Sequence, residues 1–388
     1  MLLKYYSTCF MLICACQSSK SSQDSAAPIQ ADEWPSCGQF ADLPVQLSPD
    51  QSSTQIHPDL IFDEGLFWMS YNLPNSQGKF EVWLQAFDCD GLVTYGPELI
   101  SVDEAVNHTV PRLAISGDSL MTIWQSDDGS GTQNLSIRYR MLSLSTETLG
   151  DRMLWQPLPN GTTEILNAWM PAIDAFDGGF WLAGSVAYTD AFSIVVQSMD
   201  DSGAALSAPT MISPADRASY YPSIAAQNDS NFGLSYEAIS GSNVVYSGAW
   251  ENGAFTENLS VDNAAASELT FFDGAYQTAM HFNTAEPTIY YNDTELGTGS
   301  MTHTPSLAVG EGGMLLSHYA ILSGFQNSLH WVWLGSDGAI QGQDLIVQDP
   351  PAAPYKTALT HIGGDRFMAV WAGGQSPDFM LYGKLIVP

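Results

Sequence analysis

The chain has 388 residues, 45% of them hydrophobic and 14% charged, with 11 basic against 42 acidic side chains and a formal net charge of −31. It is too apolar for general disorder. Its charge repels phosphate backbones and anionic lipid headgroups, which argues against nucleic-acid binding and against surface-charge attachment to membranes.

Lys4 precedes a short apolar stretch, Tyr5 to Ala15, too short to span a bilayer as a helix. It ends in Leu12-Ile13-Cys14-Ala15-Cys16, followed by Gln17 and a serine-rich run. Aliphatic Ile13 three before the cysteine, small Ala15 just before it, and Cys16 itself resemble a bacterial lipoprotein signal peptide. That resemblance implies cleavage before Cys16, a lipid on Cys16, and the bilayer as partner. Gln17 in place of Asp after the cysteine favours the outer membrane of the cell envelope, on its periplasmic or surface face. Residues 1–15 are then the signal peptide, 16–35 a flexible tether, and 36–388 one folded domain. Of the remaining cysteines, Cys37 and Cys89 form an even pair in an oxidising compartment, and a disulfide between them is expected.

Past the tether a unit recurs. It consists of a Pro or its equivalent, an apolar run, a Gly-containing turn, and a second run often holding Trp or Tyr. The markers are Pro58, Pro111, Pro171, Pro222, Ser267, Pro305 and Lys356. The third unit is the clearest: Pro171 to Phe176, then Asp177-Gly178-Gly179, then Phe180-Trp-Leu, and a further run from Ser193 to Met199. Spacings of roughly 40–60 residues suit a propeller repeat. Fourth runs are weak, as outer edge strands are. The seventh unit ends on its third run at Pro388, and a spare run, Leu43-Pro-Val-Gln-Leu-Ser-Pro-Asp50, precedes the first. The fold class expected is therefore all-β: a seven-bladed β-propeller of four-stranded blades, closed by an N-terminal strand that completes the last blade. Region 43–388 resembles the propellers of bacterial lipoproteins as an architecture; no enzyme-family motif accompanies it. A disulfide from Cys37 to Cys89 would tack this seam to the first blade.

In a propeller, loops entering the inner strands cluster around one channel mouth. The residues just before the markers are His57, His108, Trp169, Tyr220 with Tyr221, His303 and Tyr355, and this ring of imidazoles and aromatics is the candidate ligand site. The alternative is that these side chains merely pack between blades. The histidines lack metal-ligand spacing, so no metal, cofactor or catalytic residue is assigned. Asp88-x-Asp90-Gly91 and Asp127-Asp128-Gly129 read as turns rather than calcium loops. The reading that follows is a non-catalytic, lipid-anchored propeller that binds a carbohydrate or an envelope protein. Two others stay open: a glycoside hydrolase or lyase using Asp59, Asp174 or Glu268 at the mouth, and a structural subunit of an envelope assembly.

Overall fold

The computed structural model describes residues 37–388 apart from short segments at 42–43, 48–55, 103–105, 128, 130–133, 160–163, 189–190, 214–216, 240, 283–287, 297–300, 322–326, 343–344, 348–356 and 376–377. The expected signal peptide and tether, with Cys16, lie outside the described residues, as do Tyr355 and Lys356. The described residues belong to one compact unit, Pro35–Pro388.

Seven antiparallel sheets form a β-propeller. The innermost strands of blades 1 to 7 are Ile56–Asp63, His108–Ser116, Asn167–Phe176, Ala218–Ala226, Ala264–Phe272, Met301–Val309 and Ala358–Gly363. Each packs on the innermost strands of both neighbours, and that of blade 7 packs on that of blade 1, which closes the ring. Second strands follow through tight turns; in blade 3, Phe176 pairs with Gly179 and the second strand runs Gly179–Ala187. Outer strands are short in several blades, only Thr210–Met211 in blade 3 and Thr294–Glu295 in blade 5. Blades 1 and 4 are exceptions, with outer strands Val93–Leu99 and Ala254–Asp262 that are mostly exposed. In these two, turn residues flank polar, alternating runs, and apolar content alone does not reveal them.

The seam closes as the sequence implies. Val45–Gln46 is the outer strand of blade 7, pairing with Gly383 and Tyr382 of the last strand, Asp378–Ile386. Leu47 N–H continues the ladder by donating to Leu381 O at 2.8 Å. Cys37 and Cys89 are disulfide-bonded with Cα atoms 4.3 Å apart, inside the range a disulfide spans. Between them, Phe40 packs near Phe67 and Phe87 of blade 1, at centroid distances of 6.5 and 6.1 Å.

The recurring apolar runs face neighbouring blades. Each interface holds its own buried cluster, because alternate residues of a strand face the blade before and the blade after. The blade 6–7 cluster is built on Trp331 and Trp371, whose rings meet edge to face at 6.1 Å. Trp181 sits between Phe176 and Phe232 in the blade 3–4 cluster. The blade 4–5 cluster is the smallest, with Val245, Ala264 and Met280 as its buried members. Polar contacts stitch this interface instead: Ser247 to Thr278 at 2.7 Å, and Ser267 to Ser235 at 2.9 Å. Ser267, the fifth marker and not a proline, takes part in this polar packing.

One repeated device explains the proline marker. The register of the inner strand slips at the marker in blades 1 to 6, for example between Ile56 and Asp59 and between Trp169 and Ala172. A β-bulge leaves its extra residues outside the ladder. Proline fits there because it has no N–H to leave unpaired. The residue before the marker is left-handed in blades 1 to 5: His57, Val110, Met170, Tyr221 and Ala266 have φ between 48° and 53°. None is glycine, so the surroundings must hold each against a local cost. In blade 7, Ala358 pairs with Val370 as Ser306 pairs with Ser317 in blade 6, which makes Thr357, not Lys356, the seventh marker.

Candidate functional site

The bulged segments surround a cavity of about 320 Å³ in the central channel. Its wall takes residues from the inner strands of six blades. His57, Val110, Met170, Tyr221 and Ala266, the left-handed residues, all reach it. The residue just after each marker forms a second layer: Arg112, Ala172, Ser223 and Glu268 on blades 2 to 5. Most of the remaining lining is apolar, including Pro171, Ile173, Pro222 and Ile224.

Side chains of the preceding blade hold several left-handed residues in place. Val110 N–H donates to Asn72 Oδ1 at 3.3 Å, Met170 N–H to Gln125 Oε1 at 3.2 Å, and Ala266 N–H to Glu237 Oε1 at 2.6 Å. Asn72, Gln125 and Glu237 occupy equivalent second-strand positions, each across from a residue at the start of its own inner strand. Asn72 also donates to His108 O at 2.8 Å. Glu237→Ala should therefore leave Ala266 N–H without its acceptor and destabilise the fold by roughly 1–3 kcal/mol. Glu237→Gln, which keeps an acceptor oxygen, should lose much less. Urea midpoints of the two variants check this, and equal losses would refute the latch.

The candidate residues from the sequence do not share one register. His57 and Tyr221 are the left-handed residues directly before their prolines, and both line the cavity. Tyr221 is 41% exposed. Burial, and then the positive charge of Arg112, depress the His57 imidazole to about 4, against the opposing hydrogen bond with Asn72. His57 is thus neutral at pH 7. Trp169 and Tyr220 lie one residue earlier. Their rings join Phe192 and Tyr221 in an aromatic cluster with centroids 5.3–5.8 Å apart for the Trp169 contacts with Phe192, Tyr220 and Tyr221 and for Phe192 with Tyr220. His108 is earlier still and fully buried within blade 2, receiving the Trp124 indole N–H on Nδ1 at 3.2 Å with Ser126 Oγ at 3.0 Å. His303 lies on the inner strand of blade 6, opposite Tyr319. These residues lie one, two or three positions before the marker, and the bulge interrupts the strand alternation there, so neighbouring positions face different surroundings.

The three carboxylates considered for acid–base work are also unlike one another. Asp59 Oδ2 accepts Leu113 N–H of blade 2 at 2.8 Å. Asp174 accepts Ala226 N–H of blade 4 at 2.8 Å on one oxygen and its neighbour Ala175 N–H at 2.9 Å on the other. Burial raises the Asp174 carboxyl to about 6, helped by the charge of Glu268 and opposed by those two N–H groups. Only Glu268 of the three lines the cavity. Ser223 and Thr360 latch in the same way, accepting Leu269 N–H and Phe62 N–H at 3.0 Å each. Asp88 and Asp127 accept N–H groups of their own turns, from Asp90 and Leu92 in one case and Gly129 in the other.

Sequence reading missed Arg112 and Met170. The signal that finds them is their place on either side of a proline marker, since the bulge turns those positions to the channel. Among the described residues no group of three or more His, Cys, Asp or Glu is placed to hold a metal ion.

No family model and no curated protein matches the sequence. Solved structures match the fold at low identity. A Dyadobacter fermentans protein of unknown function aligns at TM-score 0.57 with 8% identity, over 89% of this chain and 98% of that one. The GH93 α-L-arabinofuranosidase of Fusarium graminearum, solved with arabinobiose, aligns at 0.53 with 12% identity, over 90% of this chain and 98% of that one. The β-propeller domain of the Trilobed protease from Pyrococcus furiosus aligns at 0.51 with 10% identity, over 85% of this chain and 95% of that one. That domain is described as having an open velcro topology; here the N-terminal strand pairs with the last. At these identities the likeness establishes the propeller and nothing about activity.

Proposed function

We propose that the protein is an exported propeller, anchored to an envelope membrane by a lipid on Cys16, that binds a ligand in its channel without transforming it. The observation that carries the binding reading is the mostly apolar cavity with a few convergent polar groups, the usual form of a small-molecule site. The non-catalytic part is supported by Asp59 and Asp174, whose oxygens serve as acceptors for backbone N–H groups of the next blade. A carboxylate so engaged is poorly placed to exchange a proton with a substrate.

The second reading is a glycoside hydrolase. Asp174, raised to about 6 and within the field of Glu268, is the observation that favours it. Incubating the 36–388 domain with a glycan array separates the two. Binding without release of reducing ends is expected; turnover that disappears in Asp174→Asn or Glu268→Gln would establish the hydrolase instead. Labelled palmitate should enter the full chain and not Cys16→Ala, and label retained by that variant would refute the anchor.

A further inference from the structure

The cavity wall has two kinds of surface. One is aromatic and apolar. Tyr221 of blade 4 lines the cavity and is 41% exposed, and Pro171, Ile173, Pro222 and Ile224 add C–H surface to the lining. The Tyr221 ring meets Trp169 at 5.8 Å and Tyr220 at 6.4 Å, tilted by 54° and 52°, so neither neighbour lies flat on it. Phe192 packs in turn on Trp169 and Tyr220. A ring held among others in this way loses little freedom when a ligand stacks on it. The other surface is charged and of mixed sign. In the register one residue after the marker, Asp59 stands on blade 1, Arg112 on blade 2 and Glu268 on blade 5. Arg112 and Glu268 line the cavity, while Asp59, on the blade adjacent to Arg112, accepts Leu113 N–H at 2.8 Å. Blades 3 and 4, which carry the aromatic cluster, hold the small side chains of Ala172 and Ser223 in that register.

From this geometry we infer that the channel takes a neutral sugar of mono- or disaccharide size, one face of its ring on Tyr221 and its hydroxyls toward Arg112 and Glu268. The inference rests on the binding reading given above and names its ligand class. A sugar ring has an apolar C–H face and a rim of hydroxyls, which matches a wall that is aromatic in one part and charged in another. A hydroxyl both donates and accepts, so it pairs with a guanidinium and with a carboxylate alike. A carboxylate accepts more than one donor, so a sugar hydroxyl adds to the bonds that Asp59 and Glu268 already make and displaces none. Arg112 donates from Nη1 to Pro111 O at 2.9 Å and carries further N–H groups on the same guanidinium. Neutral His57 adds a ring that also donates and accepts. A purely apolar ligand would strip water from the charged groups and return no hydrogen bond. An anion would meet the carboxylates and the field of a chain with net charge −31. A cation would meet Arg112 inside the cavity. A cavity of about 320 Å³ stands at the small end of ligand sites, which suits one or two sugar units.

The test is calorimetric titration of the full-length chain at pH 7 with glucose, galactose, arabinose, N-acetylglucosamine and maltose, and with L-leucine, benzoate and adenosine as non-sugars. At least one sugar should bind, and more tightly than any non-sugar. Its charged derivatives, such as glucuronate and glucosamine for glucose, should each bind roughly 10-fold more weakly than the neutral parent. Tyr221→Asn, which suits the left-handed backbone and removes the ring, should weaken sugar binding by roughly 10-fold or more; Tyr221→Phe, which keeps the ring, should stay within about threefold. Parent-like thermal midpoints of both variants exclude unfolding as the cause, and the comparison of neutral with charged sugars needs no variant. Equal affinity for neutral and charged forms overturns the inference, as does parent-like affinity in Tyr221→Asn. A non-sugar that binds more tightly than every sugar overturns the inference alone; failure of every probe overturns the binding reading as well.

Discussion

Replacing both Cys37 and Cys89 by serine is expected to lower stability by about 4 kcal/mol, the chain-entropy value for a closed loop of this length. The bond spans 52 residues of sequence and links the segment ahead of the seam to the turn after the third strand of blade 1, Phe80–Asp88. The outer strand it guards is only two residues long, Val45–Gln46. Such a strand contributes few ladder bonds, so closure of the ring leans on the disulfide that fixes the segment ahead of it to blade 1. The loss should therefore be local as well as global. Amide exchange should quicken at Leu47 and in the last strand, Asp378–Ile386, before it quickens in the inner strands of blades 3 and 4. A urea midpoint shift gives the total, and exchange mapped by mass spectrometry gives the location. Uniform acceleration across all blades would show that the bond acts on the whole chain and not on the seam.

Replacing His57 by asparagine, a residue that tolerates the left-handed backbone there, should make the protein more stable relative to the parent as pH falls from 6.5 to 4. His57 titrates at about 4 when folded and at 6.5 unfolded. Between those values the unfolded chain binds a proton that the folded chain does not. Stability from this group is thus complete above pH 6.5 and is lost as pH falls toward 4, by about 3 kcal/mol in all. Asp174 works in the opposite sense. Its carboxyl titrates at about 6 folded and 3.8 unfolded, so the folded chain protonates first and gains stability as pH falls from 6 toward 3.8. That gain is also about 3 kcal/mol. In the parent the two trends offset each other between pH 6 and 4. In His57→Asn the Asp174 trend stands uncovered, and the variant should gain about 3 kcal/mol on the parent between pH 6.5 and 4. The difference between the two profiles cancels the many other acidic groups. Urea midpoints across this range test it, and parallel profiles would refute a buried neutral His57.

The two effects come from levels of structure that differ in how plainly the sequence states them. The repeat of proline, apolar run and glycine turn identifies blades because a strand buried on both faces needs continuous apolar residues and a tight return. The missing last strand and the spare first one identify the seam by simple count. Cys37 and Cys89 are the two cysteines beyond residue 16, and the fold brings their Cα atoms to 4.3 Å. The candidate site was less legible. His57, His108, Trp169, Tyr220 and His303 look equivalent along the chain, yet they fall at three positions relative to the proline. His57 is the left-handed bulge residue itself and faces the cavity, whereas His108 lies two residues ahead of its own bulge residue, Val110, and is buried beside Trp124.

What the sequence determined by itself is the architecture: strand-forming runs, turn chemistry, the closing strand and the disulfide, all set by local residue pattern and by the count of strands and cysteines. What only the tertiary structure decided is which residues meet. The left-handed bulge fixes where each inner strand turns to the channel, and the acceptors for Val110, Met170 and Ala266 come from the neighbouring blade, 29 to 45 residues away in the chain. Asp59 and Asp174 look like free carboxylates in the sequence and become interblade acceptors in the ring. Arg112 and Glu268 look like scattered charges in the sequence and line one cavity in the ring. The reason is geometric: ring closure brings together positions equal in register but far apart along the chain, and no local pattern encodes that distance.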